Sequence, residues 1–292
     1  MYHDIRDFNN TDFKSRLELK SFLTVDQFKS QLDYLVKNYR IISTMDLLEA
    51  DNISDDKCAI LTFDDGLNDH HRVASILADR NIKGTFLIPT VAIRDRLIMK
   101  SHKIQFILAS EKEEILVNTI LDYFKTSKLK ERVMWNKFSR SNIKDNWWSK
   151  EMVFVTNILR NHERGTEITD KLFKKFVTTD EEAFCEDFYL TESQVKDLVS
   201  LGMEVGGHGY LSENLTLLDQ KKDISQSLKY IKKFHKDDLI FSYPNGSYNK
   251  ETLSLMEKYG CKFAYTTVPK LINKNVNNLE IPRFDGPQTL PL

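Results

Sequence analysis

The sequence predicts an α/β protein built around a parallel β-sheet. Short apolar segments rich in β-branched and aromatic residues alternate with amphipathic segments of helical character, and several apolar segments end in glycine or polar residues. Strands that alternate with helices of ten or more residues form βα units, in which the strands run parallel. The formal net charge of −1, from 42 Lys and Arg against 43 Asp and Glu, gives no electrostatic reason to expect nucleic-acid binding.

The elements follow in order along the chain. The first predicted helix, over residues 24–39, begins with a capping box formed by Thr24 and Gln27, and it leads into a strand over 58–63. The alternation continues with predicted helices over 68–80, 192–201, 216–235 and 250–259, and with strands over 84–89, 204–206, 239–243 and 262–267.

Residues 98–190 interrupt the alternation with a segment rich in Lys, Glu, Phe and Asn. We expect a helical insertion here, because a structureless loop of roughly 90 residues is unusual in a compact domain. The sequence therefore predicts one domain over residues 1–292 that contains this insertion.

The most informative segment is Thr-Phe-Asp-Asp-Gly at 62–66, which closes an apolar strand. Adjacent strand residues point to opposite faces, so Asp64 and Asp65 can reach one site only if the strand ends there. Gly66 permits the turn that this requires. The spacing suggests a general base beside a metal ligand, although Asp and Gly are also ordinary turn residues.

Three further strand ends carry polar or glycine residues: Gly-Met-Glu-Val-Gly-Gly-His at 202–208, Tyr-Pro-Asn-Gly at 243–246 and Ile-Pro-Arg-Phe-Asp at 281–285. Together with 62–66 they resemble the motifs of the polysaccharide deacetylase family, which are metal-dependent carbohydrate esterases with the NodB-homology fold. The resemblance covers nearly the whole chain and implies an irregular (β/α)7 barrel with a helical insertion. It also implies Asp64 as the general base, and Asp65 and His208 as ligands of a divalent metal, with zinc expected.

The chain departs from the family pattern at the second metal histidine. The His-(Ser/Thr)-x-x-His motif begins at His208, and its register places Ser212 at the second histidine. Catalytic zinc normally has three protein ligands and a water, and a hydroxyl is a weaker ligand than an imidazole. Either another group completes the site or the metal site has decayed. The spacing does not select a replacement among the unassigned candidates, Glu213, His70, His71 and His102.

The histidine acid that the family usually carries near the C-terminus has no counterpart in this chain. The opening Tyr-His-Asp-Ile at 2–5 resembles a segment of the circularly permuted branch, which includes exopolysaccharide deacetylases, and this implies His3 as the general acid. Only two residues precede His3, so we expect its strand to be short and weakly held. The alternative is an ordinary histidine on a mobile terminus.

An arginine of the family is also displaced in this chain. Ser242 stands where many members have an arginine before Pro-(Tyr/Phe)-Gly, whereas Ile-Pro-Arg-x-Asp at 281–285 is typical of permuted relatives. The resemblance therefore implies that Arg283 supplies the guanidinium, which would favour the charged form of Asp64 and fix its rotamer. The alternative is a surface ion pair between Arg283 and Asp285.

The resemblance implies removal of an acetyl group from an acetylated sugar or glycan intermediate in surface-polysaccharide biosynthesis. Asp64 would accept a proton from the attacking water and His3 would protonate the leaving group. The turn at 243–246 offers backbone N–H donors to the oxyanion. The expected substrate-binding residues are Tyr243, Pro244, Asn245, Gly246 and His102. Trp147 and Trp148 are further candidates for sugar contact, although such tryptophans more commonly anchor a small core.

Two other functions stay open at this point. Ser212 favours a degenerate homologue that binds a glycan or a biosynthetic partner without catalysis, and a metal-free hydrolase could use Asp64 with a second carboxylate. The first 20 residues contain several charged residues and lack an apolar core segment, so no secretory signal is visible, and no apolar stretch could span a bilayer. We expect a cytoplasmic protein without a transmembrane segment, whose partner is an acetylated sugar, nucleotide-linked, lipid-linked or an oligosaccharide.

Overall fold

The computed structural model describes residues 1–7, 22–47, 57–125, 128–139, 149–234, 238–273 and 275–290. These residues form two compact units. The first lies within Met1–Asn10, Ser21–Leu97 and Cys185–Leu292, and the described residues of the second lie within Ile98–Phe184. Trp147 and Trp148, the predicted aromatic candidates, fall outside the described residues.

The described strands are short and run parallel to their neighbours. In chain order they are β1 Ile5–Arg6, β2 Leu23–Thr24, β3 Arg40–Ile41, β4 Cys58–Ala59, β5 Thr62–Asp64, β6 Thr85–Ile88, β7 Glu204–Gly207, β8 Leu239–Ser242 and β9 Cys261–Tyr265. Strands β5 to β9 form a five-stranded sheet in sequence order, while β1 pairs with β2 and β3 pairs with β4.

Two further segments extend the five-stranded sheet at its edges. Tyr2 pairs with Phe63 of β5, and Ile281 pairs with Tyr265 of β9, both in the parallel sense. The N–H of Gly286 donates to the carbonyl of Met1 at 2.9 Å, so the first and last segments also meet. The five strands and the two edge segments close into a ring, which confirms the predicted (β/α) barrel.

The N-terminal segment is firmly held, contrary to the expectation from its position. The N–H of Tyr2 donates to the Thr62 carbonyl at 2.8 Å, and the Tyr2 carbonyl accepts from the N–H of Asp64 at 2.9 Å. The Tyr2 ring is buried and lies 5.6 Å from the Phe63 ring and 5.3 Å from the Phe28 ring, centroid to centroid. Pairing and apolar burial therefore hold a segment that would otherwise fray.

Helices connect the barrel strands and form the described part of the second unit. In chain order they are α1 Val25–Asn38, α2 His70–Ala78, α3 Thr90–Arg94, α4 Lys100–Ser110, α5 Glu113–Phe124, α6 Lys128–Phe138, α7 Lys150–Asn161, α8 Gly165–Phe176, α9 Glu181–Phe188, α10 Glu192–Ser200, α11 Gln220–Ile231, α12 Lys250–Lys258 and α13 Gly286–Thr289. The helix predicted over 216–235 begins later, because the Asp219 side chain accepts the N–H of Lys222 and starts α11 at Gln220.

The region predicted as an insertion, residues 98–190, is helical in its described part, where α4 to α9 lie. Its assignment as an insertion within a single domain over 1–292 stays a prediction. Within the described ranges, no helix has both the length and the apolar character needed to cross a membrane. The cytoplasmic location expected from the sequence likewise stays a prediction.

Candidate active site

Strand β5 ends at Asp64, and the next two residues turn the chain sharply. Asp65 has a φ of 77° and Gly66 a φ of 59°, both in the left-handed region. A Cβ at Gly66 would lie 3.3 Å from Cγ2 of Ile88, so the turn and the close approach to β6 both favour glycine. The strand end that the sequence predicted for two converging carboxylates is therefore present.

Asp64 forms a buried, bidentate ion pair with Arg283. Nη1 and Nη2 of Arg283 each lie 2.8 Å from a different carboxylate oxygen of Asp64, and both side chains are almost fully buried. Nε of Arg283 donates to the Thr266 carbonyl at 3.0 Å, and Nη1 also donates to Thr62 Oγ1 at 3.2 Å. Arg283 is thus buried against Asp64 and does not lie at the surface in a pair with Asp285.

The charges around Asp64 keep its carboxylate ionised. Burial by itself raises the pKa of Asp64, but the Arg283 guanidinium, followed by His208 and His3, outweighs burial and holds this pKa below its ordinary value. His3 is therefore close enough to act electrostatically on Asp64. The structure brings the predicted base and the predicted acid to one site, and their catalytic roles stay predictions.

His208 follows β7, and Ser242 at the end of β8 orients its ring. Nδ1 of His208 lies 3.1 Å from the Ser242 carbonyl oxygen and 2.5 Å from Ser242 Oγ. Because a carbonyl only accepts hydrogen bonds, Nδ1 carries the proton and Nε2 keeps its lone pair. Ser242, the residue at the family's arginine position, thus supports the histidine.

Asp65 and His208 face each other at a distance that suits a bound cation. Oδ1 of Asp65 lies 3.6 Å from Nε2 of His208. Two ligands of a tetrahedral zinc stand roughly 3.3–3.6 Å apart when the bonds are about 2.0–2.2 Å long. Two facing lone pairs are also stabilised by a positive charge between them. These two donors therefore fit a divalent metal.

A complete set of three protein ligands is not found in the described part of the chain, where no group of three or more His, Cys, Asp and Glu could hold a metal. Ser212 is buried, with a φ of 53°. The ring of His70 contacts the His3 carbonyl through Nε2 at 2.7 Å, and Nε2 of His71 lies 3.3 Å from Asp197 Oδ2, so these two of the four candidate replacements have other partners. The identity of the metal stays a prediction.

The turn after β8 has one backbone N–H without a hydrogen-bond partner in the described part of the chain. The N–H of Tyr243 donates to the Tyr265 carbonyl at 3.0 Å, the N–H of Gly246 donates to the Tyr243 carbonyl at 2.8 Å, and Pro244 has no N–H. Asn245 is exposed and left-handed, with a φ of 54°. Its N–H is therefore the donor at this turn that a bound oxyanion could use.

The other expected substrate contacts are placed differently. Tyr243 is buried, and its hydroxyl donates to the Leu279 carbonyl at 2.8 Å, which commits this side chain to the core. Pro244 is also buried. His102 lies on α4 in the second unit and is buried there. The substrate-binding role predicted for these residues stays a prediction.

No local sequence pattern indicates a functional role for Asp223, which lies on α11. Its carboxylate accepts hydrogen bonds from the backbone N–H groups of Tyr210 and Leu211, at 2.8 and 3.0 Å. A carboxylate in the first turn of a helix is expected from the helix dipole alone. Only the folded structure places this one against the loop that follows His208.

The comparisons with known proteins agree with this site. A family model described as polysaccharide deacetylase matches residues 149–264, which include His208 and the turn after β8. The poly-beta-1,6-N-acetyl-D-glucosamine N-deacetylase of Staphylococcus aureus (strain MSSA476) is 26% identical over 195 residues, which are 64% of this chain and 62% of the relative. The matching family model and the similar proteins are polysaccharide deacetylases.

Two further matches are shorter or more distant in sequence. YxkH of Bacillus subtilis (strain 168) is 38% identical over 85 residues, which are 28% of this chain and 30% of the relative. The chain thus spans less than two thirds of the length of both curated relatives. The Streptococcus pyogenes deacetylase PplD, solved in complex with acetate, has a TM-score of 0.55 and is 17% identical to this chain. The match covers 97% of this chain and 88% of the PplD chain. This likeness establishes the barrel fold, and membership of the permuted branch stays a prediction.

Proposed function

We propose that this protein hydrolyses acetyl groups from an acetylated polysaccharide of the cell surface, with N-acetylglucosamine polymers as the first candidates. The observation that carries the proposal is the convergence of Asp64, Asp65 and His208 at the ends of β5 and β7. Arg283 holds Asp64 in this arrangement. The name of the S. aureus relative, a poly-beta-1,6-N-acetyl-D-glucosamine N-deacetylase, supports the substrate class.

Asp65 and His208 are the residues that would hold the metal, and zinc is the candidate because carboxylate and imidazole ligands suit it. When bound, a zinc ion supplies Lewis-acid chemistry, polarising the acetyl carbonyl and lowering the pKa of a bound water from about 15.7 to roughly 7. The Nδ1–H of His208 donates to Ser242 and keeps Nε2 directed at the site. Support of this kind typically contributes about 10–100-fold to metal affinity.

Asp64 accepts the proton of the attacking water. Its pKa lies below the ordinary value, so the carboxylate is available at neutral pH. The two hydrogen bonds from Arg283 fix its rotamer, and each carboxylate oxygen retains a second acceptor site. Arg283 therefore positions the base without occupying all of its acceptor capacity.

Asn245 and His3 complete the reaction. The backbone N–H of Asn245, an exposed residue, donates to the acetyl oxygen as negative charge develops on it. His3, which lies close enough to Asp64 to lower its pKa, protonates the departing amine as the bond to the acetyl carbon breaks. Proton transfer of this kind contributes typically about 10²–10⁴-fold to the rate.

The test is acetate release from β-1,6-linked N-acetylglucosamine oligomers by zinc-restored protein. We expect release by the wild type and a loss of about 10²–10⁴-fold in Asp64→Asn, which removes the base but keeps both metal donors. The exposed substitution Asp79→Asn serves as the matched control and should retain the wild-type rate. Full activity in Asp64→Asn would overturn the assignment of the base.

The residue at position 212 favours a second candidate function, a homologue that binds a glycan without hydrolysing it. Bound zinc per chain, measured after chelation and restoration in the wild type and in His208→Ala, separates the two. About one zinc per chain, lost in the variant, supports the enzyme. No bound metal in either protein, with no acetate release, supports the binding protein. Acetate release that resists a strong chelator would instead support a metal-free hydrolase.

A further inference from the structure

The loop between His208 and Ser212 is held from two sides. At the start of α3, the N–H of Thr90 donates to the Gly209 carbonyl at 3.1 Å, and the N–H of Val91 donates to the Tyr210 carbonyl at 3.0 Å. These bonds fix the carbonyls of the loop. Its N–H groups point the other way and need an acceptor of their own.

Asp223 provides that acceptor. Oδ1 accepts the N–H of Tyr210 at 2.8 Å, and Oδ2 accepts the N–H of Leu211 at 3.0 Å. The side chain is buried, with 4% of the residue exposed. Hydrogen bonds to an ionised acceptor in a buried site are stronger than those between neutral groups. A single carboxylate therefore joins two of the backbone N–H groups that lie between His208 and Ser212.

Gly209 makes room for this carboxylate. The family motif has serine or threonine at this position, whereas the chain has a glycine with a φ of 72°. A Cβ at Gly209 would lie 3.0 Å from Oδ1 of Asp223 and 3.2 Å from Cγ of Pro244. A side chain at this position would therefore crowd the carboxylate, which would have to shift by a few tenths of an ångström. The glycine and the aspartate form one arrangement, in which the support for the loop comes from α11 and not from the loop itself.

We propose that Asp223 is a positioning residue of the active site. Through Tyr210 and Leu211 it holds the loop in the shape that sets His208 and Ser212 against Asp65. The shape of the loop does not depend on the reaction. The consequence for metal binding rests on the proposed function, so the shape of the loop and the affinity for metal are measured separately.

The first measurement is amide hydrogen exchange at Tyr210 and Leu211 in metal-free protein, followed by NMR. Asp223→Asn keeps the size of the side chain but replaces one acceptor oxygen by an NH₂ group, which cannot accept from the facing N–H. We expect exchange at these two amides to rise at least about tenfold, because one buried N–H loses its charged acceptor. The matched control is Asp219→Asn on the same helix end, where asparagine caps equally well and exchange should not change.

The second measurement is zinc affinity by calorimetry for the same proteins. We expect about 10–100-fold weaker binding in Asp223→Asn, as for other residues that support ligands, with wild-type affinity in Asp219→Asn. A thermal midpoint of metal-free Asp223→Asn close to that of the wild type separates positioning from general destabilisation.

Gly209→Ser provides a test that does not change the aspartate itself. Its side chain would enter the space of the Asp223 carboxylate, and we expect the same two amides to exchange faster. Gly202→Ser is the matched control, because Gly202 is also left-handed, with a φ of 82°, but has no atoms within 4 Å of its Cβ position.

Unchanged exchange in both Asp223→Asn and Gly209→Ser would overturn the proposal whatever the metal result. Faster exchange together with wild-type zinc affinity would also overturn it, because the loop shape would then not matter to the site. A wild-type protein that binds no zinc would count against the proposed function, while the exchange data would still decide whether Asp223 holds the loop.

Discussion

The two halves of the candidate site are completed in different ways. In the base half, Asp64 and Arg283 compensate each other's charge through two hydrogen bonds of 2.8 Å. In the metal half, Asp65 and His208 present two facing donors 3.6 Å apart, and Ser212 stands where the family motif has histidine. The charges of the base half are therefore compensated by side chains of the protein, whereas the proposed metal half presents two donors at a distance that fits a divalent cation. We expect changes in the first to affect folding and changes in the second to affect ligand affinity.

The largest effect is expected from Arg283→Met, which leaves the buried Asp64 carboxylate without its partner. Breaking a buried ion pair in this way typically lowers the free energy of unfolding by about 3–5 kcal/mol. Urea denaturation of metal-free protein measures the loss. The double variant Asp64→Asn with Arg283→Met should recover part of it, because neither charge then remains buried.

The control for this prediction is Arg94→Met. Arg94 forms an ion pair with Asp95 that is partly exposed, and such pairs typically contribute about 0–1 kcal/mol. Equal losses in Arg94→Met and Arg283→Met would mean that the Asp64–Arg283 pair is not the buried anchor of the base half.

The next effect is expected in the reaction itself, from His3→Gln. Glutamine cannot protonate a leaving amine, so acetate release should fall about 10²-fold or more. Bound zinc per chain should not change, because His3 is not among the two metal donors. The control is His71→Gln, a surface position on α2 that should leave the rate unchanged. A wild-type rate in His3→Gln would place the general acid elsewhere.

Ser212→His tests whether the metal half lacks one ligand. Histidine tolerates the left-handed backbone that Ser212 adopts, with a φ of 53°. If position 212 faces Asp65 and His208, a third ligand should strengthen zinc binding roughly tenfold or more, since catalytic sites normally use three. Calorimetry with zinc measures the change, and Ser200→His, at an exposed position on α10, is the control. Equal affinities in the wild type and Ser212→His would mean that the side chain at 212 points away from the site.

Sequence reasoning predicted the parts of the site that depend on local pattern. The turn at Asp65 and Gly66 follows from residues adjacent in sequence, and the family motif identifies it. The presence of β5 and β7 in one parallel sheet follows from the alternation of strands and helices. Arg283 could be expected only through the resemblance, because 219 residues separate it from Asp64. The hydrogen bond from His208 to Ser242 joins the ends of two strands, and sequence patterns report little about such contacts.

The N-terminal segment illustrates the same limit. Its short length predicted fraying, but the fold supplies Phe63 and Phe28 as packing partners for Tyr2 and a backbone acceptor on Thr62. Apolar burial of one aromatic ring stabilises by about 1.5–3 kcal/mol, which outweighs the weak tendency of a terminus to fray. Local sequence pattern therefore underestimates the stability of any segment that is held by residues distant in sequence.

The smallest effect is expected from His70→Gln. This variant tests the buried contact between His70 and the His3 carbonyl. His70 is fully buried, and its Nε2–H donates to the His3 carbonyl at 2.7 Å, a bond that a glutamine amide can also make. Burial lowers the pKa of His70 below its ordinary value of 6.5, and the bond to His3 and the charge of Asp65 only partly offset this. The folded protein therefore binds this proton less readily than the unfolded chain does.

The stabilisation linked to His70 is complete above the unfolded pKa of about 6.5 and is lost as the pH falls from there towards the folded pKa. Wild-type stability should thus decrease below pH 6.5 by at most about 1.4 kcal/mol per pH unit from this group, and His70→Gln should show a shallower decrease. Urea denaturation of metal-free protein between pH 7.5 and about pH 5 measures both slopes, with His71→Gln as the control for loss of a histidine from α2. Parallel slopes in the wild type and His70→Gln would mean that His70 takes up a proton as readily in the folded protein as in the unfolded chain.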